Sequence, residues 1–138
     1  MRLLLPLLFL FLVSCYESNK YEYVLKDENF KSDFKLSKDQ NFIDLEEGFT
    51  FYNAVNQNSK KTPVVLIHGF SVPSYIWDPT YKMLEEKGFY VISIDLFGRG
   101  NSKNIDGDYT DELFANQVLQ LLNHLSVDKA DFVGLSNG

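Results

Sequence analysis

The chain has 138 residues, room for one domain and no more, and its 45% hydrophobic and 15% aromatic content suffices for a packed core, which excludes a disordered chain. The formal charge is −6, and without the first fourteen residues, whose one charged side chain is Arg2, 12 basic side chains stand against 19 acidic ones, a balance of −7. A surface of that sign has no electrostatic footprint for nucleic acid, so no nucleic-acid partner is expected.

Arg2 precedes an apolar run from Leu3 to Val13, interrupted only by Pro6. The run is shorter than the roughly 20 residues of a membrane-spanning helix and lacks the polar face of a core helix; its length and leading charge predict a signal peptide over residues 1–14. Leu12, Val13, Ser14 and Cys15 resemble a bacterial lipobox, where a lipoprotein signal peptidase cuts just before a cysteine that is diacylated. Cys15 is the only cysteine, so an exported chain would otherwise carry one unpaired thiol, and the residues before it are not the Ala-x-Ala-like site of a plain secretory signal. Each buried acyl methylene contributes about 0.8 kcal/mol, so several chains on Cys15 would hold the mature protein on a membrane without spanning it. The expected location is therefore the cell membrane or outer membrane, with a lipid anchor at Cys15 as the membrane contact. Residues 15–40, rich in Lys, Asp, Glu, Ser and Asn with aromatics at no steady period, read as a lipidated tether with room for a short helix and no chemistry.

A folded unit is expected over residues 41–138. Residues 48–55, aromatic and β-branched, predict an early antiparallel strand ended by the polar turn at 56–61. Pro63 opens the continuous apolar run of residues 64–67, the composition of a parallel strand buried on both faces, and His68, Gly69 and Phe70 follow at its carboxyl end. Asp78 before Pro79 reads as an N-cap, with a helix over 79–87, Met83 and Leu84 inward, Trp77 packed just before it and Gly88 as the stop. Residues 89–94 predict the next buried strand, which delivers the loop from Asp95 to Ser102. Gly98 and Gly100 would suit a phosphate cradle, but no helix opens directly after Gly100 and no Lys-Ser/Thr follows, which favours a structural loop braced by Asp95 and Arg99. Thr110 caps a helix with Asp111 and Glu112 in its first turn and Leu113, Phe114, Val118, Leu121, Leu122 and Leu125 on one half. Phe132 and Val133 then lead into Gly134, Ser136 and Gly138, a Gly-x-Ser-x-Gly run in which a sharp strand-to-helix turn would stand Ser136 on a strained corner. Strand, helix, strand, helix, strand makes two right-handed crossovers and a parallel sheet.

From residue 63 to 138 these segments resemble the alpha/beta-hydrolase family: the His-Gly loop, a loop of Asp-x-x-Gly-x-Gly-x-Ser type and the nucleophile elbow come in the family's order. The resemblance implies a mostly parallel α/β sheet with crossover helices, of which this chain carries the N-terminal part and breaks off after the elbow strand. It makes Ser136 the nucleophile and the backbone N–H groups of Phe70 and Asn137 the oxyanion-hole donors, with Gly134, Gly138, His68 and Gly69 shaping the elbow and loop. His68 then serves the turn rather than proton transfer, and His124, at the far end of its helix, lies roughly 17 Å of strand away from Ser136. The family's triad runs Ser, acid, His in chain order, which places both partners after Gly138 together with the lid and acyl pocket. The function implied is that of a serine hydrolase acting on small carboxylic esters, esterase-like or lipase-like, through an acyl-enzyme and with no metal or organic cofactor. Serine at the elbow disfavours the dehalogenase and epoxide-hydrolase branches, which use Asp there, whereas acyltransfer, carbon–carbon bond hydrolysis and cofactor-free peroxidase chemistry stay open. The alternative from another class is a truncated or binding-only surface lipoprotein without catalysis.

Overall fold

In the computed structural model, residues 26–138 are described. The expected signal peptide, Cys15 and the first part of the expected tether lie outside the described residues. Five strands, β1 (Gln40–Asp44), β2 (Phe49–Val55), β3 (Val64–Ile67), β4 (Val91–Ile94) and β5 (Asp131–Gly134), form one sheet in the order β1-β2-β4-β3-β5. Among the described residues three α-helices accompany them: α1 (Glu28–Asp33), α2 (Asp78–Glu86) and α3 (Asp111–His124).

The expected parallel core is present, β3 pairing in parallel with β4 on one side and β5 on the other, because each of the two connections carries a helix across the sheet. The antiparallel strand expected near residues 48–55 is β2, hydrogen-bonded to β4. Beyond it lies β1, a strand the sequence reading did not foresee, which adds a second antiparallel pairing and makes the sheet as a whole mixed. Its polar Gln40, Asn41 and Asp44 suit an edge, and Phe42 opposite Phe51 holds the register, the two rings lying 5.3 Å apart. Part of the expected tether is also packed: Asp27 accepts a hydrogen bond from the Phe30 N–H to start α1, and the ring of Phe34 stands 5.4 Å from Phe42 and 5.6 Å from Phe51. Aromatics that show no period in sequence thus meet on the sheet rather than on one helix face.

Alternation along the central strands sends Val65, Ile92 and Ile94 to one face and Val64, Leu66 and Val91 to the other. On the first face α3 buries Phe114, Val118, Leu121 and Leu122, with Leu113 and Leu125 part-buried around them, and each fully buried apolar side chain contributes roughly 1.5–3 kcal/mol. Thr110 caps this helix as expected, its hydroxyl accepting from the Leu113 N–H at 3.1 Å.

The second face carries α2, where the expected details need correction. A 3-10 turn over Ser74–Trp77 leads in, so Trp77 occupies the N-cap position with no side-chain bond, Asp78 is the first helical residue rather than the cap, and the helix ends at Glu86. Met83, expected inward, is 46% exposed. The inward stripe is Trp77, Tyr81 and Leu84, spaced by four and three residues, and Met83 falls 100° away from Leu84. Trp77 Nε1 and the Tyr81 hydroxyl are buried there without a hydrogen-bond partner among the described residues, and burial pushes the Tyr81 hydroxyl well above the usual phenol range. Strand β5 is exposed at every position, and between it and α3 runs an apolar groove of about 320 Å³. Among the described residues no helix is long and apolar enough to cross a membrane.

Candidate active site

Strands β3 and β5 finish level, Ile67 opposite Gly134, so the segments that follow both strands emerge on one rim of the sheet. The Leu135 N–H still donates to the Ile67 carbonyl at 3.1 Å, and the Gly138 N–H returns to the Leu135 carbonyl at 2.9 Å, closing a tight turn with Ser136 at its apex. Ser136 has φ +59°, the left-handed region that costs a serine on the order of 1–3 kcal/mol unless the surroundings hold it there. Both flanking glycines are required by contact: a Cβ on Gly134 would lie 2.2 Å from the Gly138 carbonyl oxygen, and one on Gly138 would lie 2.5 Å from that of Ile67. A side chain at either position would therefore open the turn.

The loop after β3 closes over the same turn. A Cβ on Gly69 would stand 3.0 Å from the Leu135 oxygen and 3.0 Å from the Ser136 Cβ, and one on Gly138 would stand 2.9 Å from the His68 oxygen, so the structure brings His68 and Gly69, the residues just before Phe70, against the turn that holds Ser136 and Gly138. Among the described residues neither the Phe70 nor the Asn137 N–H donates to a protein group.

His68 is fully buried and engaged at both ring nitrogens. The Leu96 N–H donates to Nε2 at 2.9 Å, which leaves the proton on Nδ1, 2.6 Å from the Gly69 carbonyl. Burial pushes its pKa down from the ordinary histidine value and the nearby Arg99 adds to this, against the opposing pull of the Gly69 bond and of Asp95. The ring is therefore neutral and has no free lone pair for the Ser136 proton. Because the Gly69 carbonyl and the Phe70 N–H belong to one peptide unit, the His68 bond orients that N–H. The other histidine, His124, is exposed in the last turn of α3, at the end of the helix from which the chain returns to begin β5. It is not brought to the site.

The loop after β4 is folded on its own carboxylate rather than around a phosphate. Asp95, 1% exposed, accepts from the N–H of Ser74 at 2.7 Å and of Asn101 at 2.8 Å, and a Cβ on Gly100 would strike its Oδ2. Two side chains support this loop: Ser102, the serine of its motif, and Gln117, which the sequence reading does not single out. Ser102 donates to the Asp95 carbonyl at 2.5 Å and accepts from the Phe51 N–H at 2.9 Å. Gln117 accepts from the Phe97 N–H at 2.9 Å and donates to the Thr50 hydroxyl and the Asp95 carbonyl at 2.9 and 3.1 Å. The signal for Gln117 was its place on the apolar stripe of α3, three residues after Phe114 and four before Leu121, where a polar side chain has to find partners inside.

The sequence profile of the alpha/beta hydrolase fold matches residues 62–138. A protein of Mycobacterium phage D29, provisionally named a non-heme haloperoxidase, is 31% identical over 96 residues, which cover 70% of this chain and 34% of that one. Among solved structures, a hydrolase from Pseudomonas aeruginosa PA01 superposes with a TM-score of 0.66 at 26% identity, covering 75% of this chain and 38% of that one. The enol-lactonase from Burkholderia xenovorans LB400 gives 0.65 at 27% identity, covering 70% and 37%. The chain thus spans little more than a third of the length of these relatives. A parallel core that ends in a strained serine turn beneath a His-Gly loop, together with a profile match over more than half of the residues, establishes that the chain belongs to the alpha/beta-hydrolase fold family.

Proposed function

We propose that the protein is a serine hydrolase that acts on small carboxylic esters, with Ser136 as the nucleophile. The observation that carries this reading is the left-handed φ of Ser136 between two glycines that admit no side chain, an arrangement with a cost to the fold and a use in presenting a hydroxyl. In the proposed reaction the Ser136 hydroxyl gives its proton to a base, its oxygen attacks the ester carbonyl, and the Phe70 and Asn137 N–H groups receive the developing oxyanion. The alcohol then leaves with a proton, and water releases the acid from the acyl-enzyme. Each donor contributes roughly 3 kcal/mol of transition-state stabilisation. Because His68 is occupied and His124 lies away from the rim, neither histidine serves as the base, which on this reading comes with its orienting acid from beyond residue 138. Lipidation at Cys15, supported by the lipobox-like residues 12–15, would hold the enzyme at a membrane surface.

The test is turnover of a p-nitrophenyl ester by the full-length protein. Ser136→Ala is expected to lower kcat at least 10³-fold, whereas His124→Ala leaves it unchanged. The binding-only alternative is favoured by the same occupied His68, and it prevails if the folded wild-type protein turns over the ester no faster than buffer.

A further inference from the structure

We infer that Arg99 is a positioning residue that aims the proposed oxyanion-hole amide of Phe70. This rests on the serine-hydrolase reading and adds a residue to it. Phe70 sits on a rim loop and is 67% exposed, so packing alone does not fix its backbone. Two groups do. The peptide before it is held through the Gly69 carbonyl by His68, and the peptide after it is held through the Phe70 carbonyl by Arg99 Nε at 3.0 Å. The guanidinium carbon also lies 4.4 Å from the centre of the Phe70 ring, a stacked cation–π contact on the same residue. Arg99 is itself anchored, with Nη1 donating to the Phe97 carbonyl at 3.3 Å and the rings of Tyr109 and Phe114 at 5.3 and 6.0 Å.

Arginine has the chemistry this position uses. Its planar fork donates to two carbonyls while its face stacks on a ring, which an ammonium on a flexible stem does not reproduce. Among the described residues both ion pairs belong to Lys31, so the guanidinium is bound to backbone and rings rather than to a carboxylate. With both flanking peptides of Phe70 tied, its N–H keeps one direction; with the second tie cut, the peptide before Phe70 is held at the Gly69 carbonyl alone, and rotation about ψ of Gly69 and φ of Phe70 lets the amide tilt from the oxyanion position.

The experiment compares wild type, Arg99→Met and Arg99→Lys in the full-length protein with a p-nitrophenyl ester, alongside fluorophosphonate labelling of Ser136. A shift of the donor by about 1 Å costs on the order of 10²-fold. The expected result is a 10- to 100-fold fall in kcat for Arg99→Met with KM within twofold of wild type, and recovery of less than threefold in Arg99→Lys. Thermal unfolding of each variant separates this from a loss of folded protein, and if Arg99→Met does not fold, the kcat of Arg99→Lys decides alone. A wild-type kcat in the folded variants, or a loss confined to KM or to thermal stability, overturns the inference while leaving the nucleophile assignment standing. A wild-type protein that neither turns over ester nor labels at Ser136 sinks both.

Discussion

Two regions of the same rim treat their polar groups in opposite ways. Between β2, β4 and α3, the side chains of His68, Asp95, Ser102 and Gln117 are buried and each is bonded by at least two partners, so the interior carries polar atoms at little net cost. The turn at Ser136 is exposed and strained, and among the described residues the N–H groups of Phe70 and Asn137 have no protein partner. The contrast separates groups whose bonds hold the backbone still from groups left without a protein partner, and the latter are the ones proposed above to meet a ligand's oxygen. The histidine nearest the serine belongs to the first class, which is why proximity alone misleads about its role.

The largest effect expected from breaking this division is in the saturated region. Gln117→Leu keeps the apolar volume but strands the buried Phe97 N–H and removes bonds to Thr50 and Asp95, at a cost of about 3 kcal/mol in denaturant unfolding. Labelling of Ser136 per folded molecule should stay at the wild-type rate; an unchanged unfolding midpoint would show that the network does not hold the rim. The elbow should behave the other way. Ser136→Gly and Ser136→Ala both remove the nucleophile, but glycine adopts the left-handed φ freely, so the glycine variant should unfold with about 1 kcal/mol more stability than the alanine variant. Equal stabilities would mean that the turn stores no strain.

A smaller effect sharpens the account of His68. Its folded pKa is depressed, so the unfolded state binds the proton more readily and stability rises with pH across the titration. The contribution is complete above the ordinary value of 6.5 and drains away as pH falls below it. Between pH 6.5 and about 5, before most carboxylates titrate, the wild type should lose stability while His68→Gln stays flat. A parallel decline in both proteins would remove His68 as the buried neutral bolt.

Most of the site's frame was legible from residues alone, because β3 and β4 are continuous apolar runs and α3 has a cap, first-turn acids and a regular stripe. The elbow was legible because its two glycines have a steric reason that spacing reveals. Other features were hidden for physical causes. Strand β1 is an edge, so polar residues cost it nothing and leave no alternation to read. The register of α2 is set by the 3-10 turn that feeds it, a tertiary circumstance that overrides the Asp78-Pro79 signal. Phe34 counts as tether until the partners on β1 and β2 are known. Gln117, a polar residue within an apolar stripe, shows itself as the joint between α3 and the Asp95 loop only once its partners on that loop are known.

The central claim, that the rim presents an activated serine, is tested most directly by treating the full-length protein with a fluorophosphonate and mapping the adduct by peptide mass. One phosphonyl group on Ser136, formed far faster than on other serines and absent in Ser136→Ala, is the predicted result. No adduct on well-folded protein, or an adduct that persists in Ser136→Ala, would contradict it.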